Sequence, residues 1–406
     1  MDQPPFSASV FRSLPESELL STTGYPPEFL RVLLRSGVLR HLFGPEGTAA
    51  GRLQTVRECA YFSVEMALSL GIVVSLFTDP VRRYRPDLWQ GLEEEFLTGG
   101  RLGGMMITEP GCGTDMTACQ TRIEIEPGGS VLRGTKHWAG LSGLADYWLV
   151  LARDDPPGRW ARFPSLNFYV CRADPDSFRL LKRYGSAGLR SIPYGMTRIE
   201  SGEGLLGPLF SGNRTDRFRS IHGLLQRSRI SIAAIVCGAC ERLAEQATEH
   251  AASRLIFGKP MAEFGQVRTR LAEIDAARAI NRVLFQVACR EASLSDTTGS
   301  EIPALTANAV KVVCTDLAFA AANSASQLLG GESYRTDTYI GRAAADLRPF
   351  RIFEGSNDVL CDALWQAVEK EARTGGPGFE ERVKSAFNRV QQPIPDLQVF
   401  RPRTGP

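Results

Sequence analysis

Apolar positions recur at helical spacing from Pro27 onward. The segment PEFLRVLLRSGVLRHLF predicts a helix interrupted at Gly37. The apolar stretch Leu53 to Leu76 predicts one long buried helix, and Asp87 to Thr98 a short one. The pattern changes at Arg101. Thr121–Ile125, Val131–Thr135, Trp148–Ala152 and Leu166–Cys171 alternate or run in β-branched and aromatic residues between Gly, Pro and Asp turns, which predicts strands. Residues 174–215 are rich in Pro, Gly and Arg and read as further strands and a linker. From His222 the helical spacing returns. Arg229 is expected to open a long helix over Ile230–Ala252, whose small residues Ala233, Ala234, Gly238 and Ala239 suit close helix packing. Gln266–Ser293 and Pro303–Gln327 continue the helical pattern. Residues 1–25 and the tail beyond Thr374, which contains one short amphipathic segment, are expected to be loosely ordered.

Composition narrows the class. The 406 residues are 43% hydrophobic and 23% charged, with a formal net charge of +2. That suits a chain of two or three globular domains and gives no reason to expect nucleic acid or an anionic membrane as partner. No apolar run reaches the roughly 18 residues of a membrane-spanning helix. The first residues lack a basic or apolar leader and carry Asp2, Glu16 and Glu18, so a cytoplasmic location is expected. Nine scattered cysteines predict reduced thiols. Cys237-Gly238-Ala239-Cys240 lies in an apolar run and reads as buried helical cysteine rather than a zinc or redox pair. None of the four histidines is spaced as a ligand pair, so no metal is expected.

Candidate chemistry concentrates in a few stretches. Glu354 stands between Phe353 and Gly355, in Ile352-Phe353-Glu354-Gly355-Ser356-Asn357-Asp358. A lone acid beside a bulky aromatic suggests a base whose pKa is raised by desolvation, and an ordinary loop acid is the alternative. Gly103 to Asp115 (GGMMITEPGCGTD) predicts a rigid loop presenting backbone N–H groups. Gly134-Thr135-Lys136-His137-Trp138 offers an aromatic face, although a tryptophan in a strand is more often core. Arg254-Leu255-Ile256-Phe257-Gly258-Lys259-Pro260 carries a guanidinium suited to phosphate.

These blocks, with Gln327 and the Gly330-Gly331 pair, resemble in order and spacing the signatures of the acyl-CoA dehydrogenase family over about residues 25–370. The resemblance implies an α+β fold: a helical N-terminal domain (1–102), a β-barrel middle domain (103–215), a C-terminal four-helix bundle (216–375) and a tail (376–406). It implies FAD, held by Met106, Ile107, Thr108, Gly113, Thr114, Trp138, Gly140, Ser356 and Asp358. Arg254, Phe257, Gln327, Gly330 and Gly331 would reach the nucleotide of a neighbouring subunit in a homodimer or homotetramer. Glu354 would be the base, with Thr114, Arg229 and Gly355 lining the substrate. The implied activity is α,β-desaturation of an acyl thioester, carried on coenzyme A or on a carrier protein, with electrons passing to an electron-transfer flavoprotein or to oxygen. The family's place in fatty acid metabolism, or a role in secondary metabolism, would follow.

The chain also departs from the family pattern. It is short ahead of Pro27. Ala139-Gly140-Leu141-Ser142 follows Trp138 where the family has a hydroxyl near the flavin, unless a bulge lets Ser142 substitute. Ile256, Gly265, Ser333 and Ala345 also differ. Two other readings therefore stay open: a flavin oxidase or monooxygenase on the same fold, and a non-catalytic relative acting as a binding subunit.

Overall fold

The computed structural model describes residues 11, 15–21, 24–154 and 164–373. The segment expected to be loose at the N-terminus is anchored where it is described: Phe11, Leu19 and Tyr25 are buried. Burial of these apolar side chains favours holding the described part of the segment against the fold. The tail beyond Arg373, with its expected amphipathic segment, lies outside the described residues.

Helix α1 (Pro27–Leu33) runs through a wide-pitched turn (Leu34–Val38) into α2 (Leu39–Phe43). Gly37, at φ 90°, supplies the left-handed residue that kinks it. The single helix expected over Leu53 to Leu76 is two helices. Ser63 is extended (φ −155°, ψ 119°) between α3 (Ala49–Phe62) and α4 (Val64–Gly71), and its hydroxyl accepts from Met66 N. A serine that can cap the next helix ends the previous one, and apolar patterning alone does not register this. After the wide-pitched segment Ile72–Thr78 come α5 (Asp79–Tyr84) and α6 (Pro86–Leu97).

The middle of the chain forms one mixed sheet in the order β6-β7-β3-β2-β4-β5-β8, with β1 (Gly103–Met106) alongside β4. The other strands are β2 (Arg122–Glu126), β3 (Gly129–Gly140), β4 (Tyr147–Arg153), β5 (Leu166–Arg172), β6 (Phe178–Arg183), β7 (Tyr194–Ser201) and β8 (Leu205–Pro208). Among the described residues the ladder stays open, with β6 and β8 at its ends, rather than closing into the expected barrel. The Gly103-Gly104 start of β1 escaped the strand pattern because glycine is a poor strand former. Glycine is needed there, since a Cβ on Gly103 would lie 2.2 Å from the Phe77 ring and one on Gly104 2.5 Å from Trp148.

The C-terminal region is built on α7 (Arg214–Ser253), α8 (Gly265–Thr298) and α9 (Ala304–Leu329), with α10 (Tyr339–Leu347) and α11 (Asn357–Arg373) packed on α9. Helix α7 starts well before Arg229, which sits mid-helix rather than opening it. It packs against α3, α8 and α9. Two helical stretches, Val64–Tyr84 and Ala304–Tyr334, are long and apolar enough by length and composition to cross a membrane, contrary to the expectation from apolar runs. Within the fold, 72% and 50% of their most apolar windows are buried against protein, which accounts for the hydropathy as core packing. All nine cysteines are free thiols, and Cys237 and Cys240 are buried in α7. No group of metal-ligating side chains occurs among the described residues.

Candidate active site

The chain leaves α10 through a tight turn (Arg348–Arg351) and reaches Glu354 in a left-handed conformation (φ 59°), followed by Gly355 at φ 91°. A non-glycine residue held there costs on the order of 1–3 kcal/mol, so its surroundings must enforce it. Two cations, the half-buried Arg229 and the buried Lys311, hold main-chain carbonyls of this turn. Arg229 Nε donates to the Glu354 carbonyl at 2.8 Å, and its Nη1 to Asn308 Oδ1 at 3.0 Å. Lys311 Nζ donates to the Gly355 carbonyl and to Asn357 Oδ1, each at 2.7 Å. The Asn357 amide in turn donates to Thr315 Oγ1 at 3.0 Å and Asp316 Oδ1 at 2.8 Å. The Glu354 carboxyl is thereby turned inward, where Oε2 is buried and accepts no hydrogen bond. Burial pushes its pKa up, and the nearby Arg229 charge and a hydrogen bond from Ser228 oppose this only in part.

One face of α7 leads to this carboxyl. His222, Gln226 and Arg229 share a face at helical spacing. His222 Nε2 and Gln226 Oε1 are buried with no hydrogen-bond partner. Burial lowers the His222 pKa, and the Arg229 charge adds to that. Phe218, one turn earlier and partly exposed, packs edge-on against His222 at 4.4 Å. His222 Nε2, Gln226 Oε1 and Glu354 Oε2 are each left able to bond a polar group of a ligand.

The second half of the site forms where the loop after β1 meets β3. Lys136 Nζ donates to the Ile107 carbonyl at 2.8 Å and to Glu109 Oε1 at 2.7 Å, and His137 N donates to the Thr108 carbonyl at 2.9 Å. Glu109 also accepts from the backbone N–H groups of Gln120 and Thr121. Burial works against its charge, but Lys136 and these donors outweigh it and hold the carboxyl at about 2. The loop carrying Met106, Ile107 and Thr108 is thus locked to the strand carrying Trp138, while Gly113 and Thr114 lie exposed at its far end. Trp138 itself sits at φ 60° on a bulge between His137 and Ala139 and is 53% exposed. Tyr184 lies against it at 4.5 Å. A strained strand that presents a half-exposed indole fits a flat ring system laid against it. The bulge does not bring Ser142 into play: its buried hydroxyl donates to the Ala139 carbonyl at 2.7 Å. Gly140 itself carries no hydroxyl, and a Cβ there would fall 2.7 Å from Ile72 Cδ1, the far end of a side chain that would have to shift.

The remaining expected residues lie apart from the Glu354 network. Arg254 and Phe257 are exposed in a short hairpin (Leu255–Ile256 with Lys259–Pro260), Phe257 to 94%. Gln327, Gly330 and Gly331 are exposed at the end of α9. Ser356 Oγ accepts from Val359 N at the start of α11, where Asp358 is exposed in the first turn. Ser228, His222, Gln226, Asn308 and Lys311 were not expected from sequence. The signal for His222 and Gln226 was their i, i+4 spacing ahead of Arg229, and for Lys311 a lone cation in an apolar helix.

A helical region, a sheet and a helical bundle around an inward carboxylate and a presented tryptophan define a flavoprotein oxidoreductase architecture. The chain belongs to the acyl-CoA dehydrogenase family: its middle-domain model matches residues 104–201 and its C-terminal-domain model residues 218–368. The family's cofactor is FAD. The short-chain specific acyl-CoA dehydrogenase of Megasphaera elsdenii is 25% identical over 357 residues, covering 82% of this chain and 88% of that protein. The solved butyryl-CoA dehydrogenase of Megasphaera elsdenii superposes with a TM-score of 0.75 at 22% identity, covering 91% of this chain and all (100%) of the other. The prolyl acyl carrier protein oxidase AnaB superposes with a TM-score of 0.76 at 15% identity, covering 90% of this chain and 100% of the other, a likeness of fold alone.

Proposed function

We propose that this chain desaturates an acyl thioester between the α and β carbons, with Glu354 as the base. The observation that carries this is the buried, unpartnered Oε2 of a carboxyl with a raised pKa, reached along a polar face of α7. Glu354 removes the α-proton. Its left-handed backbone, fixed by Arg229 and Lys311, aims the carboxyl, and the neighbouring Gly355 lets the substrate approach closely. His222 Nε2 and Gln226 Oε1 accept hydrogen bonds from amide N–H groups of the thioester's arm, and Arg229 lines its inner end. The loop of Met106, Ile107, Thr108, Gly113 and Thr114, with Trp138, the Gly140 backbone, Ser356 and Asp358, holds the cofactor. Arg254, Phe257, Gln327, Gly330 and Gly331 are left exposed to meet the nucleotide of a second copy in a homodimer or homotetramer. FAD supplies the hydride acceptor for the β-hydrogen. The thioester is carried on coenzyme A or a carrier protein, and the electrons leave to an electron-transfer flavoprotein. We place the protein in the cytoplasm.

The test is anaerobic mixing of the FAD-loaded protein with a panel of acyl-CoA and acyl-carrier-protein thioesters. Bleaching of the flavin band by wild type but not by Glu354→Gln is the expected result. Bleaching that persists in Glu354→Gln removes Glu354 as base. One observation favours oxygen as acceptor instead: no side-chain hydroxyl stands at Gly140, and Ser142 is turned away. Oxygen uptake during turnover decides between the two acceptors.

A further inference from the structure

Lys311 is the one lysine of α9 and is fully buried. Removing an ammonium group from water costs several kcal/mol, so a cation kept there needs a reason in its contacts. Its two bonds go to neutral oxygens, the Gly355 carbonyl and Asn357 Oδ1, both at 2.7 Å. It makes no ion pair among the described residues. The charged and titratable groups that face it are Glu354 from the turn, Arg229 from α7, and Cys314 and Asp316 from its own helix. Asp316 is engaged by Arg351 and Asn357. The two oxygens Lys311 holds lie one and three residues after Glu354, on the strained turn itself.

We propose that Lys311 is a positioning residue for Glu354: its ammonium group pins the turn from Gly355 to Asn357, keeps Glu354 left-handed, and lends a positive field that favours the ionised carboxyl. The inference rests on Glu354 being the base. Arg229 holds the same turn from its other side, through the carbonyl of Glu354 itself. With one cation on each carbonyl, the turn cannot relax to a right-handed backbone without stranding a buried charge. Burial lowers the Lys311 pKa to about 8, so the ammonium is present at neutral pH and is lost above that range.

The test uses the FAD-loaded holoenzyme and reads the base directly, as exchange of a thioester's α-protons with deuterium oxide followed by NMR. In Lys311→Met, exchange and kcat are expected to fall about tenfold or more with KM nearly unchanged, as befits a misaimed base rather than lost binding. The acid limb of the pH profile should move to higher pH, because a positive charge near Glu354 is gone. Asn357→Ser, which keeps Lys311 but removes one of its anchors, should show a smaller fall in the same direction. FAD content and the melting temperature report whether each variant is folded. A folded, FAD-loaded Lys311→Met with wild-type exchange and an unmoved acid limb overturns the proposal. If that variant does not load FAD, wild-type exchange in Asn357→Ser overturns it. Exchange that survives in Glu354→Gln breaks the underlying reading of the base, a different outcome from a silent Lys311.

Discussion

At the scale of single residues, the site depends on a backbone that its own sequence disfavours. Glu354 and Gly355 are consecutive left-handed residues, and only the second is glycine. In Gly355→Ala the new Cβ would lie 3.3 Å from Leu360 Cδ2 and the left-handed conformation would carry a side chain. A loss of about 1 kcal/mol in thermal or denaturant stability and slower flavin reduction are expected. The pH dependence follows from the direction of the Glu354 shift. Burial raises its pKa, so in the proposed role of base Glu354 would stay protonated and inactive further up the pH scale than an exposed glutamate. kcat/KM should therefore rise with pH through a limb lying above about 4.3, the ordinary glutamate value. A profile already flat at that pH would contradict it.

At the scale of elements, packing distance decides which glycines matter. Gly238 on α7 faces α3, and an added Cβ would come within 2.1 Å of the Arg57 carbonyl. Backbone cannot move aside as a side chain can, so Gly238→Ala should cost about 1–3 kcal/mol in urea denaturation. Gly265, at the start of α8, has nothing within 4 Å of its Cβ position. Gly265→Ala should be stabilising by about 0.4–1 kcal/mol, because it narrows the unfolded ensemble without strain. The same reasoning explains the elements that patterning misplaced. Ser63 splits an apolar stretch by capping, and Gly103-Gly104 forms a strand because Phe77 and Trp148 leave no room for side chains.

At the scale of the molecule, a buried ion cluster ties all three regions together. Arg342 on α10 pairs with Glu65 on α4 and with Asp346. Glu65 also accepts from Arg190 N and Ser191 of the middle region, and Leu189 N donates to Asp346 Oδ1 at 2.7 Å. Tyr25 joins it through Ser69 at 2.7 Å and Ser191 at 2.9 Å. Burial pushes Asp346 up to about 7, the Arg342 charge opposing and the Glu65 charge adding. A raised carboxyl stabilises the fold while protonated. Its contribution is fully present below the unfolded value of about 3.9 and is lost as pH rises through about 7. Asp346→Asn stays neutral, so its melting temperature should fall less between pH 5 and pH 8 than that of the wild type. An equal fall would place the charge elsewhere.

The sequence alone determined what is written in contiguous residues. The loop through Thr108, the Trp138 element and the Glu354-Gly355 pair each carry their chemistry within a few positions, and helical spacing located α7, α8 and α9. The family and its cofactor were legible for the same reason. Tertiary structure decided the rest. Arg229 reaches the Glu354 carbonyl across 125 positions and Lys311 the Gly355 carbonyl across 44. Arg229 was marked only through the family resemblance, as a substrate residue at the head of its helix, and its hold on the turn was invisible. Whether Ser142 could offer its hydroxyl depended on the bulge at Trp138 and on which carbonyl lay nearest. Whether the sheet closes depended on pairings at its two end strands. Patterning reports which residues are buried. The strain of a backbone, the partner of a buried charge and the pKa of a carboxyl are fixed by atoms that only folding brings near, and the aim of Glu354 belongs to that second kind.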